Sequence, residues 1–149
     1  MRIEDEIKQE HFRNIYQKAL INLIYTANWI NSHSNRLLKQ YGLSSQQFNV
    51  LRILRGQYPK PARVSLLQDR MMDKMSNASR LVEKLRQKGL VERKVCEQDR
   101  RAVDVVITVK GLDLLAEIDA VEGEFEKLLS KLDEKEAQTL NSLLDKIRT

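Results

Sequence analysis

The chain has 149 residues, 42% hydrophobic and 32% charged, which is enough for one compact domain with its own core. Five Gly and two Pro are too few for a loop-rich all-β fold, and no apolar run approaches the ~20 residues of a membrane span. The net charge of +5 is uneven, because residues 51–101 hold 14 Lys and Arg against 6 Asp and Glu, whereas residues 111–149 hold 5 against 10. A basic middle beside an acidic end indicates that one part of the molecule meets a polyanion.

The first 31 residues predict a long helix that begins at residue 4. Apolar residues recur there at intervals of three and four: Phe12, Tyr16, Leu20, Leu23, Ala27 and Ile30. Further apolar residues widen this stripe, which predicts packing against two partners. Residues 34–40 are expected to add a further helical turn or two, ending at Gly42. Ser44 and Gln47 then have the spacing of a capping box that opens a helix ending near Gly56.

Two closely spaced helices are predicted after the prolines. The first covers about 63–72, and the second lies within Asp73–Leu90, with Asp73 or Ser76 as its cap and Gly89 at its end. Helices joined by so few residues cross at a large angle, as in a helix-turn-helix. The polar face of the second helix suits base edges and phosphates, but an ordinary solvated surface helix has the same pattern.

The residues after Gly89 change from helical to strand character. Segments 90–96 and 103–108 are short and rich in Val and Ile, which predicts a β-hairpin. Its tip, 97–102, carries two arginines. A charged tip directly after a helix-turn-helix is the layout of a winged helix, although many polar tips are merely solvated.

The C-terminal part predicts two more helices. Thr108 caps the first, about 109–130, and Asp133 caps the last. A coiled-coil-like seam with alternating steps of four and three runs along Leu114, Ile118, Val121, Phe125, Leu128 and Leu132. This seam packs either on a second copy of the chain or within its own chain. The predicted fold is therefore mainly α with a small β-hairpin, with a winged helix-turn-helix lobe and a helical dimerisation region.

Several short motifs give the chain a family resemblance. They are Gly89-Leu90-Val91-Glu92-Arg93, Asp99-Arg100-Arg101-Ala102-Val103, Ile107-Thr108 with Gly111, and Ser79-Arg80-Leu81-Val82 with Leu85. With them the chain resembles the MarR family of bacterial winged-helix transcriptional regulators over nearly its whole length. The resemblance implies one MarR-type domain over 1–149, with the DNA-binding lobe at about 34–108 and the dimerisation region at about 4–33 and 109–149.

The resemblance also implies a function. We expect a sequence-specific regulator that binds a palindromic operator as a homodimer, represses transcription and is released by a small-molecule effector. The alternative is a helical dimerisation or adaptor protein without specific DNA binding, which would explain the seam but not the basic hairpin. We expect a cytoplasmic protein, because the charged N-terminus lacks the apolar core of a signal peptide.

The predicted DNA contacts lie on the second helix of the helix-turn-helix and on the wing. Arg80 is the strongest candidate, because arginine can fork onto a guanine edge or grip phosphate. Glu83 would be repelled by phosphate, so we assign it either to the solvated surface or to pairing within the chain. In the family the wing carboxylate orients the wing arginine, although Asp99 also suits a turn. The predicted set is Lys74, Ser76, Asn77, Ser79, Arg80, Lys84, Asp99, Arg100 and Arg101.

Other functional residues are fewer. Tyr25, Asn28, Trp29 and His33 are candidates for an effector pocket, with Trp29 and Tyr25 alternatively in the core. His11 and His33 have no cluster of ligands around them, so we predict no metal site. The single Cys96 excludes an intramolecular disulfide and is expected to be an unreactive, half-buried thiol. No nucleotide-binding or hydrolase motif occurs in the chain, so we expect neither an enzyme nor a cofactor.

Overall fold

The computed structural model describes residues 1–95, 98, 102–121 and 123–149. The elements in chain order are α1 (Ile3–Ile7), α2 (Ile15–Lys39), α3 (Ser45–Gln57), β1 (Ala62–Arg63), α4 (Val64–Arg70), α5 (Ala78–Gln87), β2 (Val91–Val95), β3 (Val103–Ile107), α6 (Val109–Asp119), α7 (Gly123–Glu126), a 3-10 turn (Lys127–Leu129) and α8 (Glu134–Ile147).

The single helix predicted from residue 4 to about 31 is wrong. The short α1 ends at Ile7, the next residue, Lys8, has a left-handed φ of 54°, and α2 begins only after Asn14. The Asn14 side chain accepts a hydrogen bond from the Gln17 backbone N–H at 2.9 Å, so a local cap sets the start of α2. From there α2 runs unbroken to Lys39 and includes the turns predicted at 34–40. Gly42 follows the helix end at a φ of +70°.

One hydrophobic core lies between α3, α4, α5, α6 and the sheet. Its fully buried residues include Val50, Leu51, Leu54, Leu67, Leu85, Val105, Leu115 and Ile118. Helix α2 reaches this core through Leu38 near its C-terminal end. Burying each of the larger side chains contributes about 1.5–3 kcal/mol. The segment from the end of α2 to the end of α6 therefore has a core within one chain, and we call it the lobe.

The predicted hairpin is confirmed, and it belongs to a sheet with one more strand. The antiparallel order is β1-β3-β2, with Val91 opposite Ile107 and Ala62 opposite Val105. Strand β1 has two residues, which is too short to show an alternating pattern. The prediction that a helix begins at about residue 63 therefore missed this strand.

The long helix predicted over 109–130 is also wrong, although its cap is right. The Thr108 hydroxyl accepts a hydrogen bond from the Gly111 N–H at 3.1 Å and donates one to the Gly89 carbonyl at 2.8 Å. Helix α6 ends at Asp119, where the carboxylate receives two hydrogen bonds from Arg55 at 2.6 and 3.3 Å. Helix α7 follows as a separate turn, and its Phe125 ring lies 6.3 Å from that of Phe48.

Helices α2 and α8 keep many apolar side chains in contact with solvent. On α2 these are Ile15, Tyr16, Leu20 and Ile24, and on α8 they are Leu143 and Ile147, all more than half exposed. The cap predicted at Asp133 is confirmed and forms a capping box, and the α8 residues Ala137, Leu140 and Leu144 are partly buried within the single chain. Among the described residues, no helix is long and apolar enough to span a membrane.

Candidate nucleic-acid interface

Helix α5 has one buried and one exposed face. Its apolar residues Ala78, Leu81, Val82 and Leu85 are all buried in the lobe core, as their helical spacing predicts. Asn77 caps the helix by accepting a hydrogen bond from the Arg80 N–H at 3.1 Å. The predicted caps, Asp73 and Ser76, are wrong, because the helix begins at Ala78 and leaves both residues in the preceding turn.

Four of the predicted DNA contacts lie on the exposed face of α5 or at its start. Asn77, Ser79, Arg80 and Lys84 are all exposed. Within the part of the chain that the structure describes, the side chains of Arg80 and Lys84 have no hydrogen bond or ion pair. Asn77, Arg80 and Lys84 are separated by three and four residues, which places them along one line of the helix surface. Two unpaired cations on a rigid helix suit a polyanion.

Ser76 differs from the other predicted contacts. Only 7% of it is exposed, and its hydroxyl oxygen is buried without a hydrogen-bond partner among the described residues. Its side chain therefore lies beneath the outward surface on which we predicted it. Lys74 is exposed, and its ammonium donates to the Asp69 carbonyl oxygen, an uncharged partner that leaves the positive charge uncompensated.

The turn before α5 is held by side chains of α3. The Asp73 carboxylate accepts hydrogen bonds from the Met75 N–H at 2.9 Å and from the Gln46 amide at 3.0 Å. The Asn49 side-chain oxygen accepts one from the Met72 N–H at 2.9 Å. The bonds from Gln46 and to Asn49 link residues 27 and 23 positions apart. The orientation of α5 therefore depends on α3 as well as on the core.

Gln68 joins α4 to the start of α5. Its amide nitrogen donates to the Ser76 carbonyl oxygen at 2.7 Å, and its amide oxygen accepts from the Ala78 N–H at 3.0 Å. The second bond satisfies one of the free N–H groups at the helix N-terminus. Sequence reasoning missed this residue, since a single Gln on a polar helix face carries no local signal.

Glu83 is paired within the chain, which is one of the two roles expected for it. Its carboxylate lies 2.7 Å from an Arg86 nitrogen and 3.2 Å from an Arg93 nitrogen. Hydrogen bonds from Arg86, together with the charges of both arginines, lower the pKa of Glu83 below its ordinary value. Arg86 and Arg93 thus share a carboxylate, which distinguishes them from the unpaired Arg80.

The wing strands place more positive charge beside α5. Arg93 and Lys94 on β2 are both exposed. The predicted wing residues Asp99, Arg100 and Arg101, and also Cys96, lie outside the residues that the structure describes.

The four predicted effector residues do not converge on one cavity. Tyr25 and Trp29 line a cavity of about 220 Å³ beside α1, and the Tyr25 hydroxyl donates to Glu6 at 2.7 Å. This bond raises the pKa of Tyr25. The His33 ring lies 4.5 Å from the Trp29 ring, with its Nδ1 atom 2.9 Å from the Trp29 carbonyl oxygen. Asn28 is exposed and does not line the cavity that Tyr25 and Trp29 share.

A larger cleft lies between α2 and the lobe. Its volume is about 700 Å³, and its apolar lining includes Ile30, Leu38, Phe48, Ile53 and Phe125. A neighbouring polar cleft of about 430 Å³ is lined by Asn31, Asn35, Gln46, Asn49, Met72 and Asp73, among others. Sequence reasoning missed both, because their residues come from separate helices and from the turn before α5. The polar cleft includes the side chains that hold the turn before α5.

Comparison with known proteins places these features in a family. The model of the MarR family matches residues 43–103. The HTH-type transcriptional regulator MhqR of Bacillus subtilis is 30% identical over 131 residues, which cover 87% of this chain and 89% of the relative.

Two solved structures share the fold. The S. aureus MepR–DNA complex has a TM-score of 0.73 and 23% identity, covering 92% of this chain and 97% of MepR. The organohalide-sensing regulator RdhR, solved with 2,4-dichlorophenol bound, has a TM-score of 0.82 and 17% identity, covering 94% of this chain and 85% of RdhR.

Proposed function

Because the chain belongs to the MarR family of transcriptional regulators, we propose that it binds a near-palindromic operator as a homodimer and represses transcription. The outward face of α5 carries this proposal. Arg80 and Lys84 are exposed, unpaired among the described residues and fixed on a helix that the lobe core holds rigid. A DNA complex of the structural neighbour MepR supports the same use of this fold.

The homodimer is supported by the uncovered apolar residues of α2 and α8. A large apolar surface on a single chain favours an interface. A two-fold dimer presents two copies of α5, which must lie about 34 Å apart to enter successive major grooves on one face of the duplex. We therefore expect half-site centres ~10–11 bp apart.

Release by an effector is supported by the cleft between α2 and the lobe. Its volume of about 700 Å³ is within the roughly 300–1,000 Å³ of small-molecule sites. RdhR, which shares the fold, was solved with a chlorinated phenol bound. An apolar, aromatic ligand in this cleft would contact Met72 and Asn49, whose hydrogen bond helps to hold the turn before α5. Moving that turn would shift α5 and weaken DNA binding.

The experiment starts with selection of bound duplexes from a random pool by the wild-type protein. Binding of the selected duplex and a scrambled duplex is then measured over a range of salt concentrations. The logarithm of the affinity should fall with the logarithm of salt by about 0.9 for each phosphate neutralised. Arg80→Ala should weaken binding of the selected duplex by about 1–3 kcal/mol per contact and relax the preference at one base pair.

A matched control is Arg36→Ala, which removes an exposed arginine from α2 and should leave both affinities unchanged. If Arg80 grips only phosphate, Arg80→Ala will weaken both duplexes equally and make the salt slope shallower. Equal wild-type binding of selected and scrambled duplexes at every salt concentration would contradict the operator and favour the dimerisation or adaptor alternative.

A further inference from the structure

Met75 is an apolar side chain with no place in the protein interior. It is 92% exposed and lies in the turn that leads into α5, two residues before the Asn77 cap. The backbone at this position is fixed, because the Met75 N–H donates to the Asp73 carboxylate at 2.9 Å. The turn therefore holds Met75 in water, although burying a methionine side chain is favourable by about 1.5–3 kcal/mol.

The surroundings of Met75 restrict what can cover it. Its neighbours Lys74 and Asn77 are exposed, and Arg80 follows one turn into the helix. Side chains alternate here, since Met75 and Asn77 are exposed whereas Ser76 and Ala78 are buried. Met75 thus shares the outward surface of the predicted DNA contacts. A partner for this surface must be polyanionic and must offer an apolar group at one point.

Duplex DNA offers such a group in the major groove, where thymine alone carries a C5 methyl. The flexible, polarisable thioether of methionine adapts readily to an apolar surface of that size. We propose that Met75 is a specificity residue that packs against a thymine methyl group next to the base pair contacted from α5. This inference rests on the proposed function and adds a base preference that the charged residues do not supply.

The test removes the methyl group and the side chain independently. Each thymine of the selected duplex is replaced in turn by deoxyuridine, symmetrically in both half-sites, and the affinity is measured for the wild type and for Met75→Ala. One position should cost the wild type about threefold to fivefold per half-site, the value of one buried methyl group. Met75→Ala should bind the unmodified duplex more weakly and lose its sensitivity at that position.

Two further variants separate this role from general effects. Met75→Leu conserves apolar volume and should retain the deoxyuridine sensitivity. Val109→Ala shortens another exposed apolar side chain, beside Lys88 and Leu90 near the opposite end of α5, and should behave as the wild type.

The outcomes are distinguishable. Suppose that the wild type prefers the selected duplex, but each deoxyuridine replacement lowers the affinity of the wild type and of Met75→Ala by the same factor. The thymine contact is then refuted and the proposed function stands. A selected site without thymine in its half-sites, or a Met75→Ala variant of unchanged affinity, has the same meaning. If the wild type shows no preference for the selected duplex, both the proposed function and the role of Met75 fail.

Discussion

The lobe and the helices that flank it use similar residues in different ways. In the lobe, Val50, Leu67 and Leu85 are completely buried by side chains of the same chain. On α2 and α8, Tyr16 and Ile147 remain largely exposed although they lie on equally regular apolar stripes. An apolar stripe therefore predicts that a helix face will be covered but does not identify the partner. The lobe has a core that is buried within one chain, whereas α2 and α8 keep exposed apolar side chains on their surfaces.

The largest effect should come from placing charge on that uncovered surface. Ile24→Glu combined with Leu143→Glu puts a carboxylate on α2 and another on α8, where the proposed dimer would bury them. An uncompensated buried charge costs about 3–5 kcal/mol. We expect monomers by sedimentation at micromolar concentration, with the helical content of the lobe retained. Ser142→Glu, on the opposite face of α8, is the control and should remain dimeric; a dimeric double variant would refute the interface.

A smaller effect should distinguish two residues that look alike in sequence. Ile118 is fully buried in the lobe core, whereas Ile147 is 66% exposed in the single chain. Ile118→Ala should lower the free energy of unfolding by about 2–5 kcal/mol and leave the dimer dissociation constant nearly unchanged. Ile147→Ala should mainly weaken the dimer. Urea unfolding at fixed protein concentration and sedimentation measure the two quantities, and reversed effects would show that the core has been assigned to the wrong helices.

Local signals predicted much of this fold. The capping boxes at Ser44 and Asp133 and the cap at Thr108 were recognisable because each depends on residues only three positions apart. The break after Asp119 was missed because the apolar periodicity continues through it, and the break after Ile7 was missed because the cap at Asn14 was not recognised. The bond from Arg55 to Asp119, which accompanies the second break, joins residues 64 positions apart.

In the candidate site, too, local patterns predicted some features, and features that depend on tertiary packing were missed. The outward position of Arg80 follows from helical periodicity alone, and the structure agrees with it. The burial of Ser76 depends on the packing of the turn that Gln68 and Asp73 hold, and no pattern in the sequence reports that packing. The clefts beside α2 were missed for the same reason, since they arise only when separate helices pack together.

An intermediate effect should distinguish the true cap of α5 from its neighbour. Asn77→Ala removes the hydrogen bond to the Arg80 N–H and should cost about 1 kcal/mol of unfolding free energy. Ser76→Ala removes a hydroxyl without a partner among the described residues and should be close to neutral. Parallel urea titrations of the two variants measure this difference. If Ser76→Ala lowered the free energy of unfolding more than Asn77→Ala, Ser76 and not Asn77 would be the cap of α5.

The smallest effect concerns α1, which is joined to α2 by charge. Glu4 contacts Lys18 and Arg2, and these contacts lower its pKa from the ordinary 4.5 to about 2. Because the pKa is lower in the folded state, the stabilisation is complete above pH 4.5 and is lost as the pH falls towards 2. Trp29, the only tryptophan, lines the cavity beside α1, so its fluorescence should change over this range.

Glu4→Gln should weaken the docking of α1 at neutral pH and remove the fluorescence change at low pH. Glu10→Gln, at an exposed position between α1 and α2, is the matched control and should titrate as the wild type. A Glu4→Gln variant with the same acid transition as the wild type would show that this carboxylate does not control α1.

The two hydrogen bonds of Gln68 bear on which substitutions the proposed DNA-binding surface tolerates. One amide group both donates to Ser76 and accepts from Ala78, so an asparagine would be a methylene too short and a glutamate could not donate. The side chains of Ser79, Arg80 and Lys84 form no hydrogen bond or ion pair with other described residues. Replacing them changes what α5 contacts without loosening how it is held. If α5 binds an operator as proposed, single substitutions at its surface should therefore change the preferred DNA sequence while Gln68 continues to hold the helix.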